Sequence, residues 1–579
     1  MKRWIVGAMV AAALGLALLW AATEVEHSRK ELPSLMPDGA LLYLESKDFR
    51  ALLKGWNDSP EKRTWLKGDD YQAFSRSRLF DRLSQAQAEF SAAAEISTDG
   101  NLLSSIAGTQ SALGLYDIGN LEFVYVTRMD DSAVQATPLW QVRAKFEQRT
   151  EGSVQFFEHR DTQSNRTAVF AASQGWLIIG TREDLVAGVI DRIQGAATHS
   201  LSDEAWYADT ITKAHAPVDD LRMVLNLDKI VPSPYFRSYW VQRNVTDMKQ
   251  YRAALCDLHR SADTFREDRV LLRKPNLSAA ATGDVRSLAA LVPADAVFYS
   301  AQASPSPDHL LTELRENLLE LKASQARASW FAAPPAAAPE NAGSASMLEE
   351  RIDVAPVIIA HADPFQPLRT LLTSAQPATL LEVYETRSPE DGVFVHMDRA
   401  MVVDSALPWD VNAMKAALTT ALRPALTASQ LGVGWETHSG AAGEIFALNG
   451  RVPLYLAARG DRLFLATNAT LLDDLLSRAG KTAESRGITY AAVFQHSARE
   501  ETNFRSVVDR LDRVGSSKSA TVNVDNQEVG EPAGQAPPFF SGNVASLSSM
   551  FANVARESIE ESDQGAQVTQ TVIYQWQRP

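Results

Sequence analysis

Two segments of the chain share one pattern of hydrophobic and polar positions. Residues 175–195 (GWLIIGTREDLVAGVIDRIQG) align without gaps on residues 461–481 (DRLFLATNATLLDDLLSRAGK). In each segment a short apolar run predicts a buried strand, and apolar residues spaced three and four apart then predict an amphipathic helix. Thr181 is expected to cap the first helix, and Thr467 or Asn468 the second. Each segment is therefore predicted to be a strand that turns directly into a helix.

Further pairs of segments follow in the same order along the chain. They are residues 35–46 and 291–302, residues 221–227 and 489–495, and residues 265–274 and 567–576. In the first pair a proline-containing turn leads into a short strand, and Tyr43 aligns with Tyr299. Such an ordered set of landmarks is hard to obtain by chance, so the chain is predicted to be a duplication. Its two homologous lobes are expected to cover residues 33–285 and 286–579.

Each lobe is predicted to be α+β, with a mostly antiparallel or mixed sheet packed on helices. The predicted strands are short and separated by turns, which favours this class over a doubly wound parallel sheet. Residues 50–110 have helical periodicity and are expected to cap one lobe. Residues 323–347, rich in Ala and Pro, have the composition of a mobile surface insertion in the second lobe, and residues 515–541 form a second polar segment.

An uncharged, mostly apolar stretch covers residues 4–22. As a helix at about 1.5 Å per residue it extends roughly 28 Å, close to the hydrocarbon thickness of a bilayer. Basic residues precede the stretch and acidic residues follow it, so residues 1–32 are predicted to be a transmembrane signal-anchor with a short linker. A cleaved signal peptide is the alternative, although a cut after Ala21 or Ala22 leaves a large residue at the third position before it.

The charge and the cysteine content narrow the class of protein. The chain has 579 residues, with 56 Lys plus Arg against 71 Asp plus Glu, and a formal net charge of −15. A broad phosphate-binding surface needs positive potential, so nucleic-acid binding is not expected. The single cysteine, Cys256, excludes an intramolecular disulfide and a cysteine-rich zinc site. It stands in a helix-like run over residues 251–260 and is interpreted as a small buried apolar side chain.

The sequence holds no arrangement typical of a catalytic or cofactor site. No two of its ten histidines stand three or four residues apart, so no zinc-binding pair shares one helical turn. The glycine-rich phosphate loops and the G-x-S-x-G elbow do not occur either. Ser59 and Lys62 have the S-x-x-K spacing of penicillin-recognising enzymes but lack the partner motifs, and are interpreted as a chance match. We therefore predict a protein without catalytic residues, metal ligands or cofactor.

Two segments combine aromatic and basic residues. Residues 57–82 are interpreted as an amphipathic helical hairpin or, alternatively, as a surface that lies on anionic lipid headgroups. Residues 234–243 (PYFRSYWVQR) are the candidate ligand or partner surface, because aromatic faces and guanidinium groups stack on glycans and peptides. The candidate residues are Tyr235, Arg237, Tyr239, Trp240 and Arg243. The Phe-Arg-Ser core of this segment recurs at residues 504–506 without the aromatic neighbours, which favours a packing role instead.

The landmarks of the first lobe resemble an uncharacterised family. They are LMPDGALLYLES at residues 35–46, a helical segment, AGTQSALGLYDIGNLEFVYVTRM at residues 107–129, and AASQGWLIIGTREDL at residues 171–185. Members of the family are large, membrane-anchored bacterial extracytoplasmic proteins classed as a domain of unknown function. The resemblance covers most of residues 33–300. It implies a single-pass inner-membrane protein whose bulk is periplasmic or, if the first segment is cleaved, a soluble periplasmic protein.

The function predicted from these observations is that of a membrane-anchored extracytoplasmic binding or interaction protein without catalytic chemistry. Its partners would be the inner membrane, through residues 4–22, and an envelope protein. Two similar lobes create a cleft between them without any catalytic group, which suits such a role. One alternative is an extracytoplasmic hydrolase whose site lies at that cleft. Another is a structural scaffold of the envelope.

Overall fold

The fold combines helices and antiparallel sheet in two compact units. The computed structural model describes residues 31–67, 71, 74–196, 198–214, 217–239, 248–277, 283–294, 296–319, 363–387, 396–427, 434–440, 443–449, 453–481, 483–495 and 554–576. Unit 1 comprises Met1–Ala279, Ala545–Asn553 and Gln564–Pro579, and unit 2 comprises Ala280–Val544 and Val554–Asp563. The predicted mixture of helices with antiparallel sheet is confirmed.

The sheet of unit 1 contains β1–β10 and β20. The strands are β1 (Leu42–Ser46), β2 (Ser111–Asp117), β3 (Glu122–Arg128), β4 (Glu147–Glu151), β5 (Val154–Arg160), β6 (Thr167–Ser173), β7 (Trp176–Gly180), β8 (Leu221–Asn226), β9 (Tyr251–Arg260), β10 (Thr264–Arg273) and β20 (Gln567–Trp576). Their order across the sheet is β4-β5-β6-β7-β3-β2-β1-β8-β9-β10-β20, with antiparallel pairing throughout. The C-terminal strand therefore belongs to the sheet of unit 1.

The sheet of unit 2 contains β11–β19. The strands are β11 (Phe298–Ala303), β12 (Pro377–Arg387), β13 (His396–Ser405), β14 (Glu436–Gly440), β15 (Gly443–Leu448), β16 (Leu454–Arg459), β17 (Arg462–Ala466), β18 (Tyr490–Gln495) and β19 (Val554–Asp563). Their order is β14-β15-β16-β17-β13-β12-β11-β18-β19, again antiparallel. When the strands of each unit are numbered from its own first strand, both units have the order 4-5-6-7-3-2-1-8-9, and unit 1 continues with β10 and β20.

The register of the first two strands also agrees between the units. Tyr43 of β1 lies opposite Gly114 of β2, and the next residue of β1, Leu44, lies opposite Leu113. In unit 2 the aligned Tyr299 lies opposite Val383, and Ser300 lies opposite Glu382. Leu44 and Leu113 therefore occupy the positions that Ser300 and Glu382 occupy in unit 2.

Helices cover both faces of the sheet of unit 1. They are α1 (Leu32–Leu35), α2 (Phe49–Asn57), α3 (Pro60–Lys67), α4 (Arg78–Ala94), α5 (Gly100–Ile106), α6 (Asp131–Gln135), α7 (Pro138–Gln141), α8 (Glu183–Gln194), α9 (Ala205–Ile211), α10 (Leu227–Ile230) and α11 (Pro234–Tyr239), with one-turn 3₁₀ helices at Arg143–Lys145 and Leu201–Asp203. Helices α1, α8 and α9 pack on the face that includes Val124 and Ile178. Helices α4 to α7 pack on the opposite face, which includes Tyr125 and Ile179. The central strands β3, β6 and β7 are thus buried on both sides, whereas β8 alternates between buried and partly exposed residues.

Unit 2 has the same two-sided arrangement. Its helices are α12 (Arg286–Ala289), α13 (Pro307–Leu314), α14 (Gln366–Ala375), α15 (Val411–Thr427) and α16 (Ala469–Ser477), and α13 continues as one π-helical turn over Arg315–Leu319. Helices α13, α14 and α15 pack on the sheet face of Leu380 and Met401. Helices α12 and α16 pack on the face of Leu381 and Val402. Leu463 and Leu465 of β17 belong to the first of these clusters and Phe464 and Ala466 to the second, so this strand is buried on both sides.

The two aligned strand-to-helix segments form as predicted, but Thr181 does not cap α8. Its hydroxyl accepts a hydrogen bond from the backbone N–H of Phe123 at 2.9 Å and donates to the carbonyl of the same residue at 3.3 Å. Thr467 makes the equivalent bonds to Arg399, at 2.9 and 3.4 Å. Asn468 caps α16 with its side chain, as one of the two expected alternatives. The prediction for Thr181 was wrong because its hydroxyl ties β7 to β3 instead.

The helix predicted around Cys256 was also wrong, because residues 251–260 form β9. Hydrogen bonding to β8 and β10 outweighs the helical propensity of this short run. Cys256 is half-buried, and burial raises the pKa of its thiol to about 11, which keeps the thiol protonated at neutral pH.

The helical periodicity of residues 50–110 corresponds to α2, α3, α4 and α5, so that prediction is confirmed. Residues 4–22, 323–347 and 515–541 lie outside the described residues, and the anchor and the two insertions stay predictions. Within the ranges that the structure describes, no helix has the length and apolar content needed to cross a bilayer.

The first prediction concerns the buried ion pair of unit 1. Arg222 donates two hydrogen bonds to Asp257, at 2.6 and 2.7 Å, and the exposed fractions of the two side chains are 7% and 4%. Asp257→Ala leaves a buried guanidinium without its counter-ion, so we expect a loss of about 3–5 kcal/mol in the free energy of unfolding. Urea denaturation measures this loss.

The matched control is the more exposed pair of Arg462 and Asp404 in unit 2, whose side chains are 18% and 21% exposed. Asp404→Ala is expected to cost less, because water reaches the remaining charge. Equal losses for the two variants would contradict the assignment of the larger cost to burial.

Candidate functional site

A largely apolar cavity of about 240 Å³ lies in unit 1. It is a partly open space between the sheet on one side and α2, α4, α5 and α7 on the other. The lining residues are Leu44, Glu45, Ser46, Phe49, Phe90, Leu102, Leu103, Ile106, Ser111, Ala112, Leu113, Phe123, Tyr125, Leu139, Ile179 and Leu221. Leu103 is 41% exposed, so the cavity reaches the surface at α5.

The floor of the cavity is a row of side chains that crosses four strands. Leu44 of β1 lies opposite Leu113 of β2, which lies opposite Tyr125 of β3, which lies opposite Ile179 of β7. Because side chains alternate between the faces of a sheet, residues at matched positions all point to one side. This row therefore presents one continuous apolar surface to the helices above it.

Aromatic side chains from the helices close the cavity over this row. The Phe49 ring, at the start of α2, meets the Tyr125 ring edge-on at a centroid distance of 6.3 Å. The Phe90 ring of α4 lies 5.6 Å from the Phe123 ring of β3. These contacts join α2 and α4 to β3, and all four rings line the cavity.

The hydroxyl groups at the border of the cavity are hydrogen-bonded within the protein. The Tyr125 hydroxyl donates to the carbonyl of Ile106 at 3.1 Å and lies 3.2 Å from the Ser111 hydroxyl. Burial raises the pKa of Tyr125, which keeps this phenol neutral. The Ser46 hydroxyl donates to the carbonyl of Asp220 at 2.6 Å. A guest in the cavity would therefore meet carbon surface, with these polar groups already satisfied.

The equivalent place in unit 2 holds a polar network. Asn317, which follows α13, donates to a carboxylate oxygen of Glu382 at 2.9 Å and to one of Glu313 at 2.8 Å. The Ser300 hydroxyl donates to the other oxygen of Glu382 at 3.2 Å. Arg399 donates to the Asn317 side-chain oxygen at 3.0 Å. This network joins β11, β12 and β13 to the helix that covers them.

Two carboxyl groups in this network share one environment. Burial, and next the charge of Glu313, raise the pKa of Glu382 to about 7. Two carboxylates so close together repel each other, so the pair retains a proton near neutral pH. His309, one turn before Glu313, lies 3.7 Å from its carboxylate. Both oxygens of Glu382 accept hydrogen bonds from the protein, so we interpret the pair as a structural contact that responds to pH.

A second recess of unit 1 has a volume of about 550 Å³ and a mixed lining that includes Glu45, Tyr207 and Arg222. Its charged groups have partners within the protein. Arg222 binds Asp257, as described above, and Glu45 accepts a hydrogen bond from the Tyr43 hydroxyl at 2.8 Å. Burial raises the pKa of Glu45. The recess is thus less suited than the apolar cavity to hold a guest.

The structure describes part of the predicted ligand surface at residues 234–243. Tyr235 lies on α11 with 46% of its surface exposed, and its ring covers Gly119. Arg237 and Tyr239 lie on the same helix, but their side chains are outside the description, as are Trp240 and Arg243 altogether. Their grouping into one surface stays a prediction.

Phe236, between these residues, is buried at 3% exposure in a small core cluster with Leu227, Ile230 and Val231. The Phe-Arg-Ser segment therefore has the packing role that the sequence favoured, at least for its phenylalanine.

The S-x-x-K match has a structural explanation. The Ser59 hydroxyl accepts a hydrogen bond from the backbone N–H of Lys62 at 3.1 Å and donates to the carbonyl of Trp56 at 2.7 Å. The Lys62 ammonium donates to the Asn57 side chain at 2.5 Å. Ser59 thus stands at the start of α3 in a capping arrangement, and the lysine is held by a different residue.

Neither the cavity nor the carboxyl pair was identified in the sequence. The cavity is lined by residue types that normally fill a core, so their pattern predicts burial and gives no sign of empty space. Glu313 and Glu382 lie 69 residues apart, on either side of the predicted insertion. The available signal was the charge of Glu382 within the apolar run of Leu380, Leu381 and Val383.

Comparisons with known proteins leave the family open. No family model and no curated protein matches the chain. Among solved structures, crystal forms I and III of TP0453 match 43% of this chain, covering 81% and 82% of theirs, at 8% identity and a TM-score of 0.25. A likeness at that score carries no argument. The resemblance to a domain-of-unknown-function family stays a prediction.

The second prediction concerns the pH dependence of unit 2. A carboxyl whose pKa is raised from the ordinary 4.5 to about 7 on folding binds its proton more tightly in the folded state. Its effect on stability is therefore absent below about pH 4.5, and it destabilises increasingly as the pH rises to about 7. Glu382→Gln keeps the shape without the charge, so it should unfold like the native chain at pH 4.5 and be more stable at pH 8.

Thermal unfolding across this range measures the difference between the two chains. The control is Glu484→Gln, at a side chain that is 83% exposed, which should leave the profile unchanged. Parallel profiles for the native chain and Glu382→Gln would show that the raised pKa is not linked to folding.

Proposed function

We propose that this protein is a membrane-anchored extracytoplasmic binding protein, without catalytic chemistry of its own, that takes an apolar ligand into the cavity of unit 1. The observation that carries the proposal is the row of Leu44, Leu113, Tyr125 and Ile179 beneath an open space. Ligand sites are concave and mostly apolar, and an apolar cavity stays dry until an apolar guest fills it.

The volume of the cavity limits the size of the guest. An engineered protein cavity of about 150 Å³ accommodates benzene. At about 240 Å³ the cavity of unit 1 holds a larger body, such as an alkyl chain of moderate length or a ring with an alkyl substituent. The satisfied hydroxyl groups at its border give no anchor to a charged group, so the buried part of the ligand is hydrocarbon.

The contrast between the units supports a functional role for the cavity of unit 1. At the equivalent positions unit 2 has Ser300 and Glu382, and its polar network ties the helix to the sheet. The shared strand order shows that this fold does not by itself require an open space at the row. Leu44 and Leu113 of unit 1 therefore differ in polarity from their counterparts in unit 2, and the binding of an apolar ligand explains this difference.

The domain organisation and the location are part of the proposal. The common strand order and register support two homologous lobes that arose by duplication. Their proposed bounds are residues 33–285 and 286–579, although β20 (Gln567–Trp576) pairs with β10 in the sheet of unit 1. Residues 4–22 would anchor the chain in a bacterial inner membrane and leave its bulk in the periplasm, where an envelope protein is the expected partner. Tyr235, on its exposed helix, is the described residue of the candidate partner surface.

The third prediction fills the cavity. Leu113→Phe adds an aromatic ring to the floor, so it should displace a guest and occupy empty volume at once. We expect at least a tenfold loss of affinity for butylbenzene, measured by calorimetry, and a gain of about 0.5–2 kcal/mol in the free energy of unfolding. The opposite signs of the two effects distinguish a filled cavity from a damaged fold.

The same substitution at Leu407, which is 51% exposed in unit 2, is the control and should change neither quantity. Binding that survives in Leu113→Phe, or a native chain that binds no butylbenzene, would overturn the apolar-ligand proposal.

A further inference from the structure

The helices that follow β1 bury little of their surface. We call α2, α3, α4 and α5 together the helical layer. In α2 no residue is buried, and in the 17 residues of α4 only Ala93 and Ala94 are. An amphipathic helix in a globular protein normally buries a complete stripe. The outer side of this layer therefore has apolar surface that the chain itself does not cover.

Leucines are the apolar residues that the helical layer presents to its surroundings. Leu66, Leu83 and Leu103 are 42%, 43% and 41% exposed, and they belong to three different helices of the layer. The aromatic residues behave differently. Phe74 and Phe80 pack edge to face at 5.4 Å, so these rings are directed toward each other.

The first part of the helical layer is basic within an acidic chain. Residues 47–82, which include α2, α3 and the start of α4, contain nine Lys plus Arg and six Asp plus Glu. Residues 83–106, which complete the layer, contain none and three, and the rest of the chain contains 47 and 62. The exposed basic residues within residues 47–82 are Lys47, Arg50, Lys54, Arg63, Lys67, Arg76 and Arg78. One of the carboxylates, that of Asp48, is occupied by the backbone N–H of Ala51 at the start of α2. The local charge is thus opposite to that of the whole protein.

We propose that the helical layer of unit 1 is a docking surface for an anionic lipid bilayer. Exposed leucines beside Lys and Arg on amphipathic helices are the composition of helices that lie in the membrane interface. Each basic residue near an anionic leaflet adds to the attraction, whereas the acidic remainder of the chain is repelled. An acidic protein partner would use the same charges but would not select lipid composition, so the test separates the two.

The length of chain before the first described residue suits this geometry. Eight residues, 23–30, separate the proposed anchor from Glu31, and even a fully extended segment of that length reaches about 28 Å. Unit 1 is then held close to the bilayer, where a high effective concentration makes weak docking sufficient. Because Leu103 also lines the cavity, a docked layer would open the cavity toward lipid, a consequence that rests on the proposed function.

The experiment uses the full chain with Cys256→Ser, reconstituted into vesicles of phosphatidylcholine alone or mixed with phosphatidylglycerol. A fluorophore is attached at Leu66→Cys or Leu83→Cys, and a lipid with a nitroxide headgroup quenches it on contact. Leu407→Cys, exposed in unit 2, is the control position. We expect quenching at 66 and 83 with phosphatidylglycerol, loss of quenching near 1 M salt, where the screening length is about 3 Å, and none at 407.

Charge reversal tests the basic residues. Arg63→Glu with Lys67→Glu should lower the ratio of docked to undocked chain at least about tenfold. The matched control is Lys481→Glu with Arg486→Glu, at exposed residues of unit 2, which should leave the ratio unchanged. Circular dichroism and thermal unfolding check that each variant keeps its fold.

Three results would overturn the docking proposal: no quenching in either vesicle, equal quenching in both, or equal effects of the two charge reversals. Butylbenzene binding by the same variants separates this outcome from a failure of the proposed function. If butylbenzene binds but the protein does not dock on vesicles, the cavity proposal stands and the docking proposal fails. If the protein docks but butylbenzene does not bind, the docking proposal stands and the cavity proposal fails.

Discussion

The structure depends on burying both faces of an antiparallel sheet in each unit. In β7 every residue is buried, and Ile178 and Ile179 belong to clusters on opposite sides. Antiparallel sheets often leave one face to water, and their strands then alternate apolar with polar residues. Here helices cover both faces at the central strands β3, β6 and β7 of unit 1 and β17 of unit 2, so the residues of these strands pack against a helix on one side of the sheet or the other. Thr181 and Thr467 show what this requires of a polar residue, since each buries its hydroxyl and hydrogen-bonds it to the neighbouring strand.

One cross-strand row shows two ways in which a sheet face can be covered by helices. In unit 1 the row is apolar and lines a cavity, whose border includes the ring contacts of Phe49 with Tyr125 and of Phe90 with Phe123. In unit 2 the corresponding row begins with Ser300 and Glu382, and Asn317 and Arg399 complete a network that fills the interface. A buried carboxyl is costly unless it is paired or protonated, and the raised pKa of Glu382 records that cost. The two units thus share a topology and differ in whether the space between this row and the helices is open or filled.

The sequence predicted the parts of this fold that local pattern determines. The strand-to-helix segments at β7–α8 and β17–α16, and the helices within residues 50–110, follow from periodicity. Cys256 was misplaced because a ten-residue run of helix-favouring residues becomes a strand only through its neighbours β8 and β10. The sequence did not predict the cavity, and the reason is also that distant segments decide the local structure. Leu44 and Leu113 are 69 residues apart, and whether they enclose space or fill it depends on rings contributed by α2 and α4.

The helical layer connects these observations. A helix that closes a well-packed core buries its apolar stripe completely, yet α2 has no buried residue and α4 buries two alanines at one end. Helices α2 and α4 contact the sheet beside the cavity through partly buried rings, those of Phe49 and Phe90, rather than through a fully buried stripe. Such a layer keeps leucines such as Leu103 at the surface and leaves basic residues free to face outward. The acidic chain thus has its positive segment, residues 47–82, in the same helical layer that lines the apolar cavity, which is why the proposed ligand site and the proposed docking surface share these helices.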